Sequence, residues 1–290
     1  MKDKKTKNKK AAESRKKRGM KTAPAVMREH VAVFRDGRTE TCREPVLTEY
    51  SLKIVIEKNI GKNVTGEKRK ISLVCTPEYL EELVLGRLLT EGIIKGTDDV
   101  KKLSISGESD GAAGKAHVIL RDDVPAGGGA ADARQSVTPV SWKPEWIFDL
   151  ADCFHRGMPL HDRTWGTHSC FLSSGGRILF QCEDIGRHNA VDKAVGYGLK
   201  KRIDLSECIL YSSGRIPSDM AVKAVRAGIP VLAAKAVPTR EAVRLAEACG
   251  LTLIGGARRD SMKVYADGRW KLSADGTEPY ANLHFLTKKS

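Results

Sequence analysis

The segment from Glu183 to Lys193 reads EDIGRHNAVDK and is crowded with ionisable side chains. It follows the apolar run ILFQC, so we expect a strand to lead into a helix here, with Gly186 permitting the tight turn between them. On that helix, His188 and Asp192 would lie one turn apart on the same face. A capped helix with surface ion pairs would explain the Asp and Lys that end the segment, but not the Arg187-His188-Asn189 cluster.

A histidine outside the segment could join it. His168, in the sequence GTHSC, lies just before a predicted hairpin and could sit beside EDIGRHNAVDK. His168, His188 and Asp184 are residue types that bind metals, but the HExxH spacing of zinc enzymes is missing. A buried, hydrogen-bonded histidine is the alternative for each, and we expect no bound metal.

Two cysteines near His168 are candidate nucleophiles. Cys170 lies two residues after His168, on the same face of the predicted strand, and Cys153 lies on the helix before it. A thiolate near His and Arg side chains has a lowered pKa and can act as a nucleophile or sulfur carrier. The alternative for either cysteine is a small core residue without chemistry.

Three basic loops follow the later predicted strands. After residue 194 strands and helices alternate, which predicts parallel strands with their ligand site at the carboxyl ends. The loops there read SSGR, AKAVPT and GARRDS, and their cations are Arg215, Lys235, Arg258 and Arg259. Helices begin after two of the loops and offer N–H groups to an anion, so we predict a phosphate-rich ligand. The alternative is that these side chains only cap helices and face water. No Walker A or GxGxxG motif occurs.

The composition limits the class of protein. The chain has 290 residues and a net charge of +14, of which residues 1–21 contribute eleven Lys/Arg and two acids. That tail is too charged to fold alone; attraction to nucleic acid is conceivable but no recognition motif supports it. The seven cysteines are odd in number and form no CxxC, which disfavours a disulfide framework or a paired-cysteine zinc site. Without a secretory or membrane-spanning segment, we expect a cytoplasmic protein.

The elements that must position these residues belong to an α/β protein. SLKIVIEKN and KRKISLVCT predict a hairpin, and the following TPEYLEELVLGRLLTEGII predicts a helix with Thr76 as its N-cap. The Gly-rich stretch GGGAADA at 127–133 predicts a linker. We divide the chain into a basic tail (1–30), an N-terminal α+β region (31–135), an α/β domain (136–272) and a C-terminal extension (273–290).

The ordered motifs resemble one known family. CTPEYLEELVLGRLLTEGII, TWGTHSC, EDIGRHNAVDK, SSGRIPSDMAVKA, VPTREAVRLAEACGLTLIGGARR and VYADGR are similar to those of the formate dehydrogenase accessory sulfurtransferases (FdhD), over residues from about 45 to about 270.

The resemblance implies both a fold and a function. The fold would be a cytidine-deaminase-like mixed sheet with flanking helices. The protein would be a cytoplasmic homodimer that receives sulfur from a cysteine desulfurase. It would pass this sulfur to Mo-bis(molybdopterin guanine dinucleotide), or the tungsten form, before the cofactor enters the formate dehydrogenase catalytic subunit. The residues expected to bind the cofactor are Gly256, Ala257, Arg258, Arg259, Asp260 and Ser261, with Asp184, Arg187, His188, Ser213 and Arg215 in the wall of the pocket.

One departure from the family affects the chemistry. The resemblance implies a carrier cysteine in a CxxC-type segment near 134–142, where this chain reads RQSVTPVSW. Three explanations are open. Cys170 or Cys153, with His168 nearby, has taken over as the carrier; or the protein binds and protects the cofactor without transferring sulfur; or it is a divergent paralogue with another client.

Overall fold

The computed structural model describes residues 24–58, 68–108, 111–124 and 136–269. These form one two-stranded ribbon and two larger sheets. The strands are β1 (Val26–Arg35), β2 (Arg38–Leu47), β3 (Tyr50–Lys58), β4 (Lys68–Cys75), β5 (Val100–Gly107), β6 (Ala113–Leu120), β7 (His168–Ser174), β8 (Arg177–Asp184), β9 (Cys208–Ser212), β10 (Val231–Ala234), β11 (Thr252–Gly255) and β12 (Lys263–Ala266). The helices are α1 (Leu80–Thr90), α2 (Pro144–His155), α3 (His161–Thr164), α4 (Arg187–Lys200), α5 (Ser218–Arg226) and α6 (Arg240–Cys249), with 3₁₀ turns at Thr97–Asp99 and Leu205–Glu207.

The large sheet has the strand order β12-β11-β10-β9-β7-β8. Strands β9, β10 and β11 are parallel, as the strand–helix alternation predicts, while β7, β8 and β12 run antiparallel to their neighbours. The β7–β8 hairpin turns at Gly175 and Gly176, both with positive φ. The predicted mixed sheet with flanking helices and an N-terminal α+β region is confirmed.

The small sheet has the order β4-β3-β6-β5 and contains the predicted β3–β4 hairpin. Its inner face shares one apolar core with the large sheet, because residues from β3, α1, α4 and β9 belong to the same buried cluster. The boundary predicted near residue 135 therefore does not separate two cores. Helix α2 packs on the opposite face of the large sheet, against Phe171 and Tyr211.

Helices α1 and α4 touch backbone to backbone. A side chain at Gly86 would collide with the Asp192 carbonyl, and one at Gly196 would collide with the Glu82 carbonyl. This close approach fixes the EDIGRHNAVDK segment, whose second half is the start of α4, against the helix that follows β4. Gly86 and Gly196 thus allow α1 and α4 to pack in direct contact.

Several predictions fall on the ends of the chain or on loops. Residues 26–30, predicted as part of the tail, instead begin β1. Residues 1–23, the turn between β3 and β4, the linker at 127–133 and the predicted C-terminal extension lie outside the described residues. No helix in the described ranges is long and apolar enough to cross a bilayer.

Candidate functional site

Asp184 and Lys193 form a fully buried ion pair, with Lys193 Nζ 2.6 Å from Asp184 Oδ2 and neither side chain exposed. The Asp184 carboxylate also accepts hydrogen bonds from the Thr76 and Gly186 backbone N–H groups and from Asn189 Nδ2. Lys193 also donates to Thr76 Oγ1 at 2.6 Å. Both oxygens of Asp184 have protein partners, and the carboxylate holds the turn before α4 in place. Its predicted contact with a cofactor stays a prediction.

A second buried cluster surrounds Asp192. Lys223 Nζ donates to both carboxylate oxygens of Asp192 at 2.7 and 3.0 Å, and to Thr90 Oγ1 at 2.9 Å. Arg87 Nη1 lies 3.5 Å from Asp192 Oδ2. The surface ion pairs expected at the end of EDIGRHNAVDK are therefore buried ones that join α1, α4 and α5.

Glu183 organises the segment before β7. Its carboxylate accepts from the N–H groups of Leu160 and His161 at 2.8 and 2.7 Å and from Thr167 Oγ1 at 2.9 Å. Because Thr167 precedes His168, this buried carboxylate sets where β7 begins. Thr76, predicted as a helix N-cap, instead donates its hydroxyl to the Glu183 carbonyl and Asp184, while α1 begins after Tyr79.

The buried network presents a group of side chains at the sheet edge formed by the carboxyl ends of β8 and β9 and the start of β7. We call this group the His168–Arg187 site; its members are His168, Arg187, His188, Ser213, Gly214 and Asp219. Ser213 Oγ lies 3.5 Å from His168 Nδ1 and accepts from the Ser169 N–H at 2.9 Å. A methyl group on Gly214 would lie 3.1 Å from Arg187 Cβ and 3.5 Å from His168 Nδ1, so a larger residue there would push the Arg187 side chain by a few tenths of an ångström.

Arg187 is the cation at this site. Its Nε is buried and has no hydrogen-bond partner among the described residues. A buried guanidinium N–H without a partner costs free energy unless something accepts from it. An anionic ligand at the first turn of α4, where backbone N–H groups also point outward, would supply that acceptor.

Both histidines of the site favour the neutral form. Burial, and then the Arg187 charge, lower the pKa of His168. Burial also lowers the pKa of His188, although Asp219, whose Oδ2 lies 2.9 Å from His188 Nε2, works in the opposite direction. A neutral imidazole can accept a proton or a hydrogen bond, so the site combines a fixed cation with two weak bases.

We predict a pH dependence of stability from these two histidines. A folded-state pKa below the ordinary 6.5 means that the unfolded chain binds more protons, so stability is full above that pH and declines below it. The decline for each histidine cannot exceed about 1.4 kcal/mol per pH unit. Between neutral and mildly acidic pH, the free energy of unfolding measured in urea should fall less for the His168→Asn/His188→Asn variant than for the parent. An identical pH dependence in the two proteins would contradict the prediction.

The basic loops after β10 and β11 form the other half of this edge. Lys235 Nζ lies over the Phe154 ring at 4.7 Å, and Arg258 Nη1 donates to the Lys235 carbonyl. Arg259 Nε lies 2.7 Å from Asp152 Oδ1. Thus Arg258 and Arg259 each use part of their guanidinium group in a contact with the protein, and Lys235 makes a cation–π contact.

The backbone of the GARRDS loop is largely satisfied internally. The Gly256, Ala257 and Arg258 N–H groups donate to the carbonyls of Ala236, Ala234 and Ser261, and Ser261 Oγ donates to Asp260. Gly256 has a φ of 62°, which glycine adopts without strain. The loop is a rigid basic rim, and its predicted role in binding a cofactor stays a prediction.

The His168–Arg187 site and the basic loops after β10 and β11 lie along one edge of the large sheet. The Ser212 carbonyl accepts from the Lys235 N–H, and the Ile216 N–H donates to the Val237 carbonyl, so the loops after β9 and β10 are joined. Three strand spacings separate β7 from β11, which corresponds to roughly 14 Å. Such an edge suits an extended ligand with several phosphates better than a compact one. Exposed Arg215 lies between the halves.

Cys170 is not a candidate nucleophile in this structure. Its side chain is fully buried, and burial raises the pKa of its thiol well above the ordinary value. It shares a strand face with His168, as predicted, but points into the core beneath α4. The neighbouring Cys182, Cys75 and Cys208 are also buried, and desolvation raises the pKa of each to about 12.

Two cysteines are not buried, Cys42 and Cys153. Cys153 packs beside the apolar cluster under α2, and its Sγ lies 3.8 Å from Gln181 Oε1. Cys42 lies on β2, where desolvation and then Glu44 raise the pKa of its thiol. The structure therefore does not bring His168 together with Cys153, which lies on the α2 side of the sheet.

The segment where the carrier thiol was expected is partly described. Residues 136–142 form an irregular stretch that is anchored by the Val137 N–H, which donates to the Cys249 carbonyl at 2.9 Å. Val137 and Trp142 are buried. This part of the chain is held against the end of α6, and it carries no thiol.

Asp219 and Tyr211 escaped the sequence analysis, and Glu183 was considered there without its actual partners. Asp219 pairs with His188 across two helices, and Glu183 organises the approach to His168; the charge of each was visible, but its partner was not. Tyr211 is buried beneath the Arg258 loop, with a hydroxyl that has no partner in the described residues and a pKa raised to about 12 by burial. The described residues contain no His, Cys, Asp or Glu cluster suited to a metal.

The family model and the known proteins that match this chain all point to one family. The model of the FdhD/NarQ family matches residues 48–270. The sulfur carrier protein FdhD of Geobacillus kaustophilus (strain HTA426) is 31% identical over 267 residues, covering 83% of this chain and 95% of that protein. The sulfur carrier protein FdhD of Staphylococcus aureus (strain MRSA252) is 29% identical over 255 residues, covering 80% and 91%.

A solved structure has the same fold. The crystal structure of a protein from Desulfotalea psychrophila, described as a formate dehydrogenase accessory protein, superposes with a TM-score of 0.67. It is 27% identical, and the match covers 83% of this chain and 97% of that one.

Proposed function

The chain belongs to the FdhD/NarQ family, and from that membership we propose that it is a formate dehydrogenase accessory protein that carries sulfur. The sulfur would come from a cysteine desulfurase and pass to Mo-bis(molybdopterin guanine dinucleotide), or its tungsten form, before insertion into the catalytic subunit. The observation that supports this most directly is the similarity to sulfur carrier proteins over most of the chain.

The edge of the large sheet supports the choice of a dinucleotide as the cargo. A guanine dinucleotide carries a pyrophosphate, which needs cations and N–H donors. Arg187 Nε, which has no hydrogen-bond partner in the described ranges, and the start of α4 supply these at one end of the edge. The basic rim at Gly256–Ser261 supplies cations at the other end. The spacing of about 14 Å between the halves suits phosphates and bases bound along the edge.

Sulfur transfer needs an accessible thiol. The terminal sulfur of a desulfurase persulfide would move to a thiolate of this chain, releasing the desulfurase thiolate, and would leave again to the cofactor. Among the residues predicted for this role, only Cys153 is not buried. It has no cationic partner at hydrogen-bonding distance in the described residues, which makes it a modest acceptor.

The scarcity of accessible thiols also supports a second function. A protein that binds the cofactor and protects it, without transferring sulfur, needs the basic edge but no thiol. The absence of cysteine at 134–142 and the burial of Cys170 favour this cofactor chaperone. The client would still be formate dehydrogenase, and the site would be the same.

Persulfide mapping distinguishes the two functions. We predict that incubation with a cysteine desulfurase and labelled cysteine places sulfur on Cys153, that Cys153→Ala abolishes the label and that Cys170→Ala does not. Mass spectrometry locates the modified residue. If none of the seven cysteines is labelled while GDP still binds, the carrier is excluded and the chaperone remains.

We also propose a cytoplasmic homodimer. The ribbon of β1 and β2 pairs with no other strand of the described residues, and an isolated two-stranded ribbon is marginally stable in water. Met27, Phe34 and Val46 are exposed on it. A second subunit that covers this ribbon would stabilise it.

A further inference from the structure

The outer face of the small sheet is strongly basic. A shallow cavity of about 300 Å³ on this face is lined by Lys53, Val55, Glu57, Lys68, Lys70 and Lys115. All six of these residues lie on β3, β4 and β6 of the small sheet. Four ammonium groups thus surround one carboxylate on a face that no helix of the described residues covers.

The arrangement of these lysines is unfavourable in the free protein. Lys53 on β3 lies directly beside Lys115 on β6 in the strand register, and Val55, next to Lys53 on the same face, is paired with Lys70 on β4. Like charges side by side on neighbouring strands destabilise a sheet. The single carboxylate is already engaged, because Glu57 contacts Lys68 at 3.0 Å and His117 at 2.9 Å.

The three remaining lysines have no counter-charge among the described residues. Lys53, Lys70 and Lys115 are exposed and form no ion pair with any part of the chain that the structure describes. A local arrangement that opposes folding, without a compensating contact, points to a function. The missing compensation here is negative charge.

The chemistry of the face favours an acidic protein segment over phosphate or nucleic acid. A built phosphate site uses Arg forks and helix N-termini, and this cavity has neither. Single-stranded nucleic acid needs aromatic side chains for stacking, and no aromatic residue lines the cavity. Flexible lysines on an open sheet face instead suit carboxylates that approach from a solvated partner.

The chain itself does not supply such a segment from its long ends. Residues 1–21 carry eleven Lys/Arg against two acids, and residues 270–290 carry three lysines against two acids. Neither end is acidic, so both would gain little from this face. We therefore look for the occupant in another protein.

We propose that the outer face of the small sheet, centred on Lys53, Lys70 and Lys115, is a docking surface for an acidic segment of a partner protein. None of the residues that line it belongs to the His168–Arg187 site. Its contribution would be electrostatic, giving fast association and strong dependence on salt.

The test uses the full chain and a short fluorescein-labelled peptide rich in Glu and Ser. Fluorescence anisotropy should show salt-sensitive binding that weakens by at least about tenfold, equivalent to about 1.4 kcal/mol, in Lys53→Glu/Lys70→Glu/Lys115→Glu. Circular dichroism checks that this variant is folded. The matched control, Lys95→Glu/Lys201→Glu/Lys263→Glu, reverses three lysines that are exposed elsewhere and should keep most of the affinity.

Carbodiimide cross-linking of the unmodified chain gives an independent readout. The peptide carboxylates should cross-link to Lys53, Lys70 or Lys115. Cross-links confined to residues 1–21, equal losses in both triple variants, or displacement of the peptide by inorganic pyrophosphate at low concentration would each overturn the proposal. Tighter, equally patch-dependent binding of a short RNA would likewise replace the protein partner by nucleic acid.

Discussion

Asp184→Asn is expected to lower the free energy of unfolding by about 3–5 kcal/mol. The substitution keeps the shape of the side chain but removes the charge that faces Lys193 Nζ at 2.6 Å, in a pair with no exposed surface on either side chain. The ammonium group of Lys193 would then be buried without a counter-charge, because Thr76, the Glu183 carbonyl and the amide oxygen at position 184 are all neutral acceptors. Urea unfolding of the parent and the variant measures the difference.

Two further variants check the physical cause. Asp184→Asn/Lys193→Met removes both charges, so it should recover part of the lost stability relative to Asp184→Asn alone. Asp98→Asn removes one partner of the Asp98–Arg202 pair, whose side chains are 85% and 80% exposed. This control should have the same free energy of unfolding as the parent within experimental error. An equal loss in the single and double variants would show that shape, and not the unpaired charge, matters.

Arg187→Gln is expected to weaken GDP binding by about 10- to 100-fold, which is the effect of a charge-assisted hydrogen bond of about 1.5–3 kcal/mol. GDP represents one nucleotide half of the proposed cargo. Because Arg187 Nε has no protein partner among the described residues, its loss should leave the unfolding midpoint nearly unchanged. Isothermal titration calorimetry with GDP measures the affinity.

The control for this variant lies at the opposite end of the same sheet. Arg177 begins β8 beside the hairpin turn and is exposed, so Arg177→Gln should bind GDP as the parent does. Unchanged GDP affinity in Arg187→Gln would move the nucleotide away from the His168–Arg187 site. A large fall in the unfolding midpoint would instead mean that Arg187 supports the fold.

Much of the architecture follows from local patterns. The alternation of strands and helices after residue 194 predicts the parallel strands β9, β10 and β11 because helical crossovers are the ordinary way to connect them. The two hairpins follow from apolar strands that flank turn residues. Thr239, placed before a helix by the sequence, does cap α6 by accepting from the Ala242 N–H.

The environment of the charged residues was harder to predict from the sequence than the helices and strands. EDIGRHNAVDK has the same residues whether they face water, a ligand or each other, and no periodicity distinguishes these environments. One pair, Asp184 with Lys193, forms within the segment, but the other partners come from distant parts of the chain: Lys223 for Asp192 and Asp219 for His188. The burial of the Asp184–Lys193 pair was therefore not visible in the sequence.

The sequence by itself determined the family, the α/β class, the basic strand-end loops and the lack of a thiol at 134–142, because each depends on residue identity and local order. Tertiary structure alone decided which groups are accessible. It buries Cys170 and the Asp184–Lys193 pair and leaves Arg187 Nε without a hydrogen-bond partner among the residues that the structure describes. It also aligns Lys53 beside Lys115. Burial and strand register depend on contacts between residues far apart in the chain, so most charges of EDIGRHNAVDK form a buried frame, while Arg187 and His188 stay partly exposed.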